Sequence, residues 1–288
     1  MQLTSEAPAS FRSSADRPGP LGLVREGLTD ILSRRRLIAY LVQAGLRKSG
    51  ADTLFGNIWW ILDPLLQMLV YVILVSVIFQ RDQPAYPLFI FAAILPWKWF
   101  GSAIQDGTVS VVSQERLIKQ IHFPKLVLPV ASVSSGIVNF AFGLIPLAAL
   151  ILLFYSDRLS VWLLLIPIVA LVQFLFTLPL AIALGAVNVF YRDISNVTRH
   201  ILRLWFYLSP GLYAIEQLHG IGSRYPIIGE LLLLNPFATL FGAYRDVIYN
   251  MKAPDWVALA TLAGGSLILL AASVYLFKRL EPSFAKVL

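Results

Sequence analysis

LVLPVASVSSGIVNFAFGLIPLAALILLFY (residues 126–155) and LSVWLLLIPIVALVQFLFTLPLAIALGAVNVFY (residues 159–191) contain no Asp, Glu, Lys or Arg. A helix rising ~1.5 Å per residue crosses the ~30 Å hydrocarbon layer with about 20 apolar residues. Both stretches exceed that length, so they must tilt, kink or project beyond the layer. Pro146, Pro167 and Pro179 offer kink sites. Outward from this pair lie further apolar runs. Residues 58–80 are apolar apart from Asp63, and residues 85–106 are interrupted by Lys98. Residues 201–215 make a shorter stretch running through SPGLY, and residues 256–277 form a clean last span. The expectation is an all-α membrane protein with six transmembrane helices. Residues 226–249 are apolar but broken by Asn235-Pro236, and they carry Glu230, Arg245 and Asp246. Irregular backbone at membrane depth must be buried in protein or line a wet cavity. That segment suits re-entrant outer-face helices before the last span.

Composition agrees. Of 288 residues, 58% are hydrophobic and 14% charged, with a mean hydropathy of +0.73. A soluble domain of this size could not cover so much apolar surface. No cysteine is present, which excludes disulfides, zinc–thiolate and iron–sulfur sites and cysteine nucleophiles. The net charge is +7, and its distribution is informative. With six spans, 17 Lys/Arg fall on the side holding both termini and 5 on the other. Positive residues mark the cytoplasmic face, so both termini are expected in the cytoplasm of a multi-pass protein. The charge is read as orientation and not as a nucleic-acid groove.

The segment before the first span divides in two. Residues 1–20 are polar and rich in Ser, Pro and Ala, and are expected to form a disordered tail. Residues 21–56 alternate apolar and basic positions at helical spacing, with Arg34, Arg35 and Arg36 between Leu32 and Leu37. This is an amphipathic interface region, either lying on the cytoplasmic membrane surface or packed on a soluble partner.

Recognisable bond-making chemistry is missing. The sequence contains no GxxxxGK[ST], no HExxH and no GxSxG, and no pair of carboxylates shares a span. His122, His200 and His219 lie far apart, which argues against a metal site. Polar residues concentrate in two cytoplasmic loops. SQERLIKQIHFPKLVLP (residues 113–129) sets Leu117, Ile118 and Ile121 against Glu115, Arg116, Lys119 and Gln120, which suits a short helix ended by Pro124. FYRDISNVTRH (residues 190–200) holds an adjacent Arg192–Asp193 pair. These are either solvated loops or knobs that fit a cytosolic partner.

These residues resemble the membrane subunit of an ABC-2 type transporter, in the branch that exports lipid-linked polysaccharides such as O-antigen, teichoic acid or galactan. The resemblance runs from about residue 30 to the C-terminus. It rests on FGNIWWILDPLLQMLVY (55–71), ERLIKQIHFPKLVLP (115–129), NVFYRDISNV (188–197), YLSPGLY (207–213), NPFATLFGAYRD (235–246) and FKRLEPSFAKVL (277–288), in that order. One stretch departs from the pattern. Where such proteins often show a basic run resembling DLKxRYRxSxLG, this chain reads GLRKSGADTLFG (45–56), with Ser49-Gly50 in place of Arg-Tyr. The resemblance implies a homodimer in a bacterial inner membrane, joined by two copies of a separate ABC ATPase that binds ATP and Mg. The chain itself is then no enzyme and needs no cofactor or metal. It implies that residues 113–124 and 191–199 are coupling helices, with Glu115, Arg116, Lys119, His122, Phe123, Arg192 and Asp193 facing the ATPase. The nearest alternative is an ABC-2 exporter of a small lipid or drug. A membrane glycosyltransferase would need an acidic motif such as DxD, which is absent, and a passive scramblase or channel would work without any ATPase.

A glycan exposes apolar C–H faces on which aromatic rings stack without gripping one hydroxyl pattern. The chain holds 7 Trp, 11 Tyr and 18 Phe. Candidates for a substrate conduit are Tyr71, Trp97, Trp99, Phe100, Phe140, Phe142, Trp205, Phe206 and Tyr207. The alternative for each is the membrane-interface preference of Trp and Tyr, or core packing by Phe. Lys98 either faces the conduit and a lipid-linked diphosphate, or snorkels to the interface. Arg47 and Lys48 either hold the diphosphate or anchor to anionic lipid.

Overall fold

The computed structural model describes residues 18–50, 54–78, 80, 83–121, 123–211 and 234–288. Two helices precede the spans: α1 (Pro20–Ser33) and α2 (Arg35–Gly50), separated by a break at Arg34. Pro20 stands in the first turn of α1, where its missing N–H costs no helical bond. α3 (Trp59–Val72) continues as a π-helical stretch, Ile73–Ile78. α4 (Tyr86–Val109) leads into the short α5 (Glu115–Gln120). α6 (Val127–Phe154) is followed by a 3-10 stretch, Val161–Leu165, and α7 (Ile166–Phe190). α8 (Ile194–Leu208), α9 (Pro236–Ile248) and α10 (Trp256–Val287) complete the chain. Asn235 caps α9 by accepting from the Phe237 N–H, and Asp255 caps α10 by accepting from the Val257 and Ala258 N–H groups.

Among the described residues five helical segments are long and apolar enough to cross a membrane: Trp59–Ile78, Tyr86–Val109, Val127–Phe154, Val161–Phe190 and Trp256–Val287. The all-α expectation holds, and five of the six expected spans coincide with these segments. The sixth, 201–215, does not reach that length. Its described part is the second half of α8, whose 15 residues reach only ~22 Å at ~1.5 Å each. Arg199, His200 and Arg203 are exposed on the same helix, which makes it amphipathic. Residues 212–215 and 226–233 of the expected fifth span and re-entrant segment lie outside the described residues, as do residues 1–17 of the expected tail. The remainder of that segment is α9, a helix buried on most of its surface. Of the three proposed kink sites, Pro146 and Pro179 sit inside α6 and α7, whereas Pro167 occupies the first turn of α7 and marks its start.

The fold is organised around α4, the most buried of the long helices. α6 and α7 pack along it, α10 packs along α7, α3 lies over α4 and α6, and α1 lies along α10. α4 and α7 touch backbone to backbone. A Cβ on Gly185 would stand 2.8 Å from the Gly107 carbonyl oxygen, and one on Gly107 would stand 2.7 Å from the Ala181 Cβ. Gln173, fully buried, ties the same pair by donating to the Pro96 carbonyl at 2.8 Å. α3 is the opposite case, with Ile58, Trp59, Leu66, Leu69, Val70, Ile73 and Val77 all exposed.

Contacts between chain ends separate two poles. At one, Tyr249 Oη donates to the Pro84 carbonyl at 2.7 Å and Arg158 donates to the Tyr249 carbonyl at 2.8 Å. At the other, α1, the start of α6, α5 and the end of α10 converge, and the basic loops predicted to be cytoplasmic gather there.

Candidate functional site

The basic pole carries both predicted loops. α5 is held by Ile118, which is buried, while Arg116 is exposed. Glu115 and Lys119 pair one turn apart at 2.6 Å, and Lys119 also donates to the carbonyl of the last residue, Leu288, at 2.7 Å. α5 is therefore clipped to the end of α10. The Lys119 ammonium holds the Glu115 carboxyl below the usual carboxylate range, with smaller help from Arg192 and then Arg116. That contribution from Arg192 puts the second loop within electrostatic reach of the first. A depressed pKa means the contact is present above the ordinary carboxylate pKa and is lost as pH falls through the depressed value. Arg192 and Asp193 are exposed, and Asp193 stands at the start of α8, where a negative charge suits the helix dipole. Gln105 of α4 donates to the Ser195 carbonyl at 3.2 Å and so anchors this loop to the central helix. Phe123 is half-buried against the core; His122 lies outside the described residues.

Behind α5 lies an ion network that sequence reading missed. Lys278 of α10 contacts Glu26 at 3.0 Å, Asp30 at 2.9 Å and Glu281 at 3.1 Å. Glu281 also accepts from the Lys125 backbone N–H at 2.7 Å, just before α6. One lysine thus joins α1 and α10 and, through Glu281, the chain leading into α6. These residues are basic or acidic in the sequence without any local sign that they meet. Replacement of Lys278 by Met deprives the partly exposed Glu26 and Asp30 of their common partner, while Glu281 keeps its Lys125 contacts, and should destabilise the α1 docking by about 1–3 kcal/mol. Trypsin cleavage at Arg25 or Arg34 in solubilised protein is expected to accelerate several-fold.

Toward the membrane, a cavity of about 370 Å³ opens between α3, α4 and α6. Its walls include Trp59, Trp60, Trp99 and Phe140, with Asp63 and Lys98 beside them. Lys98 donates to Asp63 in an ion pair between adjacent helices. Opposite charges in neighbouring spans were the available sign of this pairing. Trp99 is held edgewise by Gly136, where a Cβ would stand 2.5 Å from the indole, and its ring lies 5.0 Å from Phe140. Phe142 packs on Trp60 at 5.2 Å on the same side.

The other conduit candidates sit elsewhere. Trp97 and Phe100 are buried in a single-chain aromatic cluster with Phe237, each 4.7 Å from its ring, and with Trp205 and Phe206. Tyr71 meets Phe206 at 6.1 Å, and Tyr207 is exposed. Arg47 and Lys48 are exposed in the last turn of α2.

The same cluster explains two motifs. Asn235 accepts from the Trp205 indole at 3.0 Å and donates to Ser209 Oγ at 2.9 Å. Arg245, buried, donates to the Pro210 carbonyl at 2.6 Å and the Gly211 carbonyl at 2.5 Å, with its guanidinium 3.7 Å above the Phe89 ring. The described part of the first motif, residues 207–211, and NPFATLFGAYRD are therefore two halves of one clamp.

No protein-family model matches the chain. It is similar to the O-antigen export system permease protein RfbA of Myxococcus xanthus, with 33% identity over 264 residues covering 92% of this chain and 98% of that protein. It is also similar to two RfbA permease proteins of Klebsiella pneumoniae, at 28% and 26% identity over 254 residues, covering 88% of this chain and 95% of each relative. Matched across nearly the full length of these relatives, and built as a multi-pass helical membrane protein with no nucleotide-binding motif of its own, the chain belongs to the O-antigen export system permease family.

Proposed function

We propose that this chain is the membrane subunit of an ABC exporter that moves a lipid-linked polysaccharide of the O-antigen type across the bacterial inner membrane. The observation that carries this reading is the 33% identity to an O-antigen export permease along 98% of that protein's length. The geometry at the basic pole supports it. Two short charged elements, α5 and the Arg192–Asp193 loop, lie within electrostatic reach of each other and are braced against α4 and α10. Such elements can receive a push from a cytosolic ATPase, bound as two copies to a homodimer of this chain. ATP and Mg belong to that partner. Its closure on ATP moves α5 and the second loop, and the displacement passes through Lys119 and the Lys278 network into the last span. For transport to follow, the substrate must bind the two states unequally.

Six crossings with both termini cytoplasmic fit this scheme. α7 ends at the pole of the coupling loops, whereas α10 begins on the far side, beyond Tyr249. In this scheme α8 belongs to the crossing between them, and α9 lies on the outer side. The exposed face of α3 is then the natural side for the second subunit. The rings that touch sugar are Trp59, Trp60, Phe142, Tyr71 and Tyr207, with Trp99 and Phe140, themselves buried, lining the cavity wall. The buried Trp97 and Phe100, with the half-buried Trp205, hold the surrounding wall rigid. Arg47 and Lys48 supply cations for the diphosphate, whereas Lys98 is engaged by Asp63.

Deletion of this gene in its host should trap lipid-linked glycan on the cytoplasmic side, and re-expression should restore surface glycan. Glu115→Ala and Arg116→Ala variants should lower surface glycan several-fold while the subunit still purifies as a dimer. Undiminished export by both would remove α5 from the coupling path.

A further inference from the structure

A second cavity, of about 360 Å³, lies at the cytoplasmic end of the groove between α2, α4 and α6. Asn139 lines both this cavity and the one beside Trp99. The two cavities meet along matched polar faces. On α6, Ser132, Ser135 and Asn139 recur at spacings of three and four, on one side of the helix. On α4 and the turn and 3-10 stretch that follow it, Ser102, Asp106, Ser110 and Ser113 line the opposite wall. Polar atoms inside it lack protein partners among the described residues. Asn139 Oδ1 is a buried acceptor and Trp99 Nε1 a buried donor, the latter on a side chain 2% exposed. Ser132 and Ser135 spend their hydroxyl protons on the Leu128 and Ala131 carbonyls, at 3.2 and 3.0 Å, leaving their oxygens as acceptors.

We infer that the two cavities form one intramembrane groove within a single subunit, and that it holds the polyhydroxylated sugars next to the lipid anchor of the substrate before translocation. This rests on the export reading and adds the place where cargo is loaded. The chemistry selects the ligand class. An acyl chain would leave the Asn139 and Trp99 atoms unsatisfied, at about 1–3 kcal/mol each. A phosphate calls for converging cations, and of the lysines along the groove Lys48 stands at one mouth while Lys98 is already paired with Asp63. A sugar offers donors and acceptors on its rim and C–H faces for Trp59, Trp60 and Trp99. The interface helix, which supplies Leu41, Gly45 and Lys48 to the wall, closes the cytoplasmic end.

The cysteine-free sequence makes the test direct. Ser135→Cys and Ser132→Cys place thiols in the groove, and Ile137→Cys places one on the exposed face of α6, which the fold turns toward lipid. Inverted vesicles carrying the whole exporter are treated with a membrane-impermeant sulfonated methanethiosulfonate. One set comes from cells that assemble the lipid-linked glycan, the other from cells lacking the glycan-assembling transferases. The expected result is reaction at both groove positions in glycan-free vesicles, at least three-fold slower reaction when glycan is present, and none at 137. Absence of reaction in both sets means a dry groove, and equal rates mean a groove that sugar does not enter. Either outcome overturns the proposal. Export by the same variants, read as surface glycan, separates failure of the groove from failure of the transport reading.

Discussion

Arg245→Ala is expected to cost about 3–5 kcal/mol of folding stability and to remove most folded protein from the membrane. The guanidinium is buried and donates two short hydrogen bonds to the Pro210 and Gly211 carbonyls. Charge-assisted bonds of this kind contribute roughly 1.5–3 kcal/mol each, and carbonyls left without donors in a dry interior add a desolvation cost. Stacking on Phe89 adds about 1–2 kcal/mol more in a desolvated setting. Arg245→Lys keeps the charge but loses the planar fork, so it should recover only part of the stability. Thermal melting of detergent-solubilised protein, followed by size-exclusion chromatography, measures both. A melting temperature unchanged by Arg245→Ala would show that α9 and the Ser209–Gly211 turn are held by ring packing alone.

Neutralising one member of the Asp63–Lys98 pair should impair the protein more than neutralising both. Asp63→Asn leaves an ammonium within the span, which costs roughly 2.5–3.5 kcal/mol at the bilayer centre. Lys98→Met leaves a carboxylate that is more exposed and nearer the start of α3, so its effect on stability should be smaller. A ten-fold change in an equilibrium corresponds to about 1.4 kcal/mol. On that scale Asp63→Asn should reduce export by about ten-fold or more. The exchange Asp63→Lys with Lys98→Asp should return stability to within about 1 kcal/mol of the starting protein. Melting temperature and surface glycan, read together, divide the two roles. If the exchange restores melting but not export, the lysine position matters to cargo; if it restores neither, the pairing is not what holds α3 to α4.

Much of the architecture was legible in the residues. Charge-free runs gave the spans, because burial of apolar helix in lipid depends on local composition. The basic loops gather at one pole, and Asn235-Pro236, read as a break in an apolar run, falls at the start of α9. The expected fifth span was the weak point. Its apolar run sits on a helix that also carries Arg199 and Arg203, so its length and hydropathy compete.

Side-chain roles were less legible. Trp97 and Trp99 are two residues apart, yet Trp97 is buried among Phe237, Phe206 and Trp205, while Trp99 faces the cavity. On a helix, that spacing turns two rings to different sides, and only the neighbours across the interface decide which side is core.

Composition and periodicity therefore determined that this chain is a helical membrane protein with one basic pole, since those properties follow from how each short segment partitions between water and lipid. Which charges meet was decided only in the tertiary structure: Lys278 with Glu26 and Asp30 some 250 positions away, Lys119 with the last residue, and Asp63 with Lys98. So was the groove through Asn139. These contacts depend on where glycines such as Gly107, Gly136 and Gly185 let helices close on one another, and that is a property of two surfaces fitted together that neither strand of sequence carries alone.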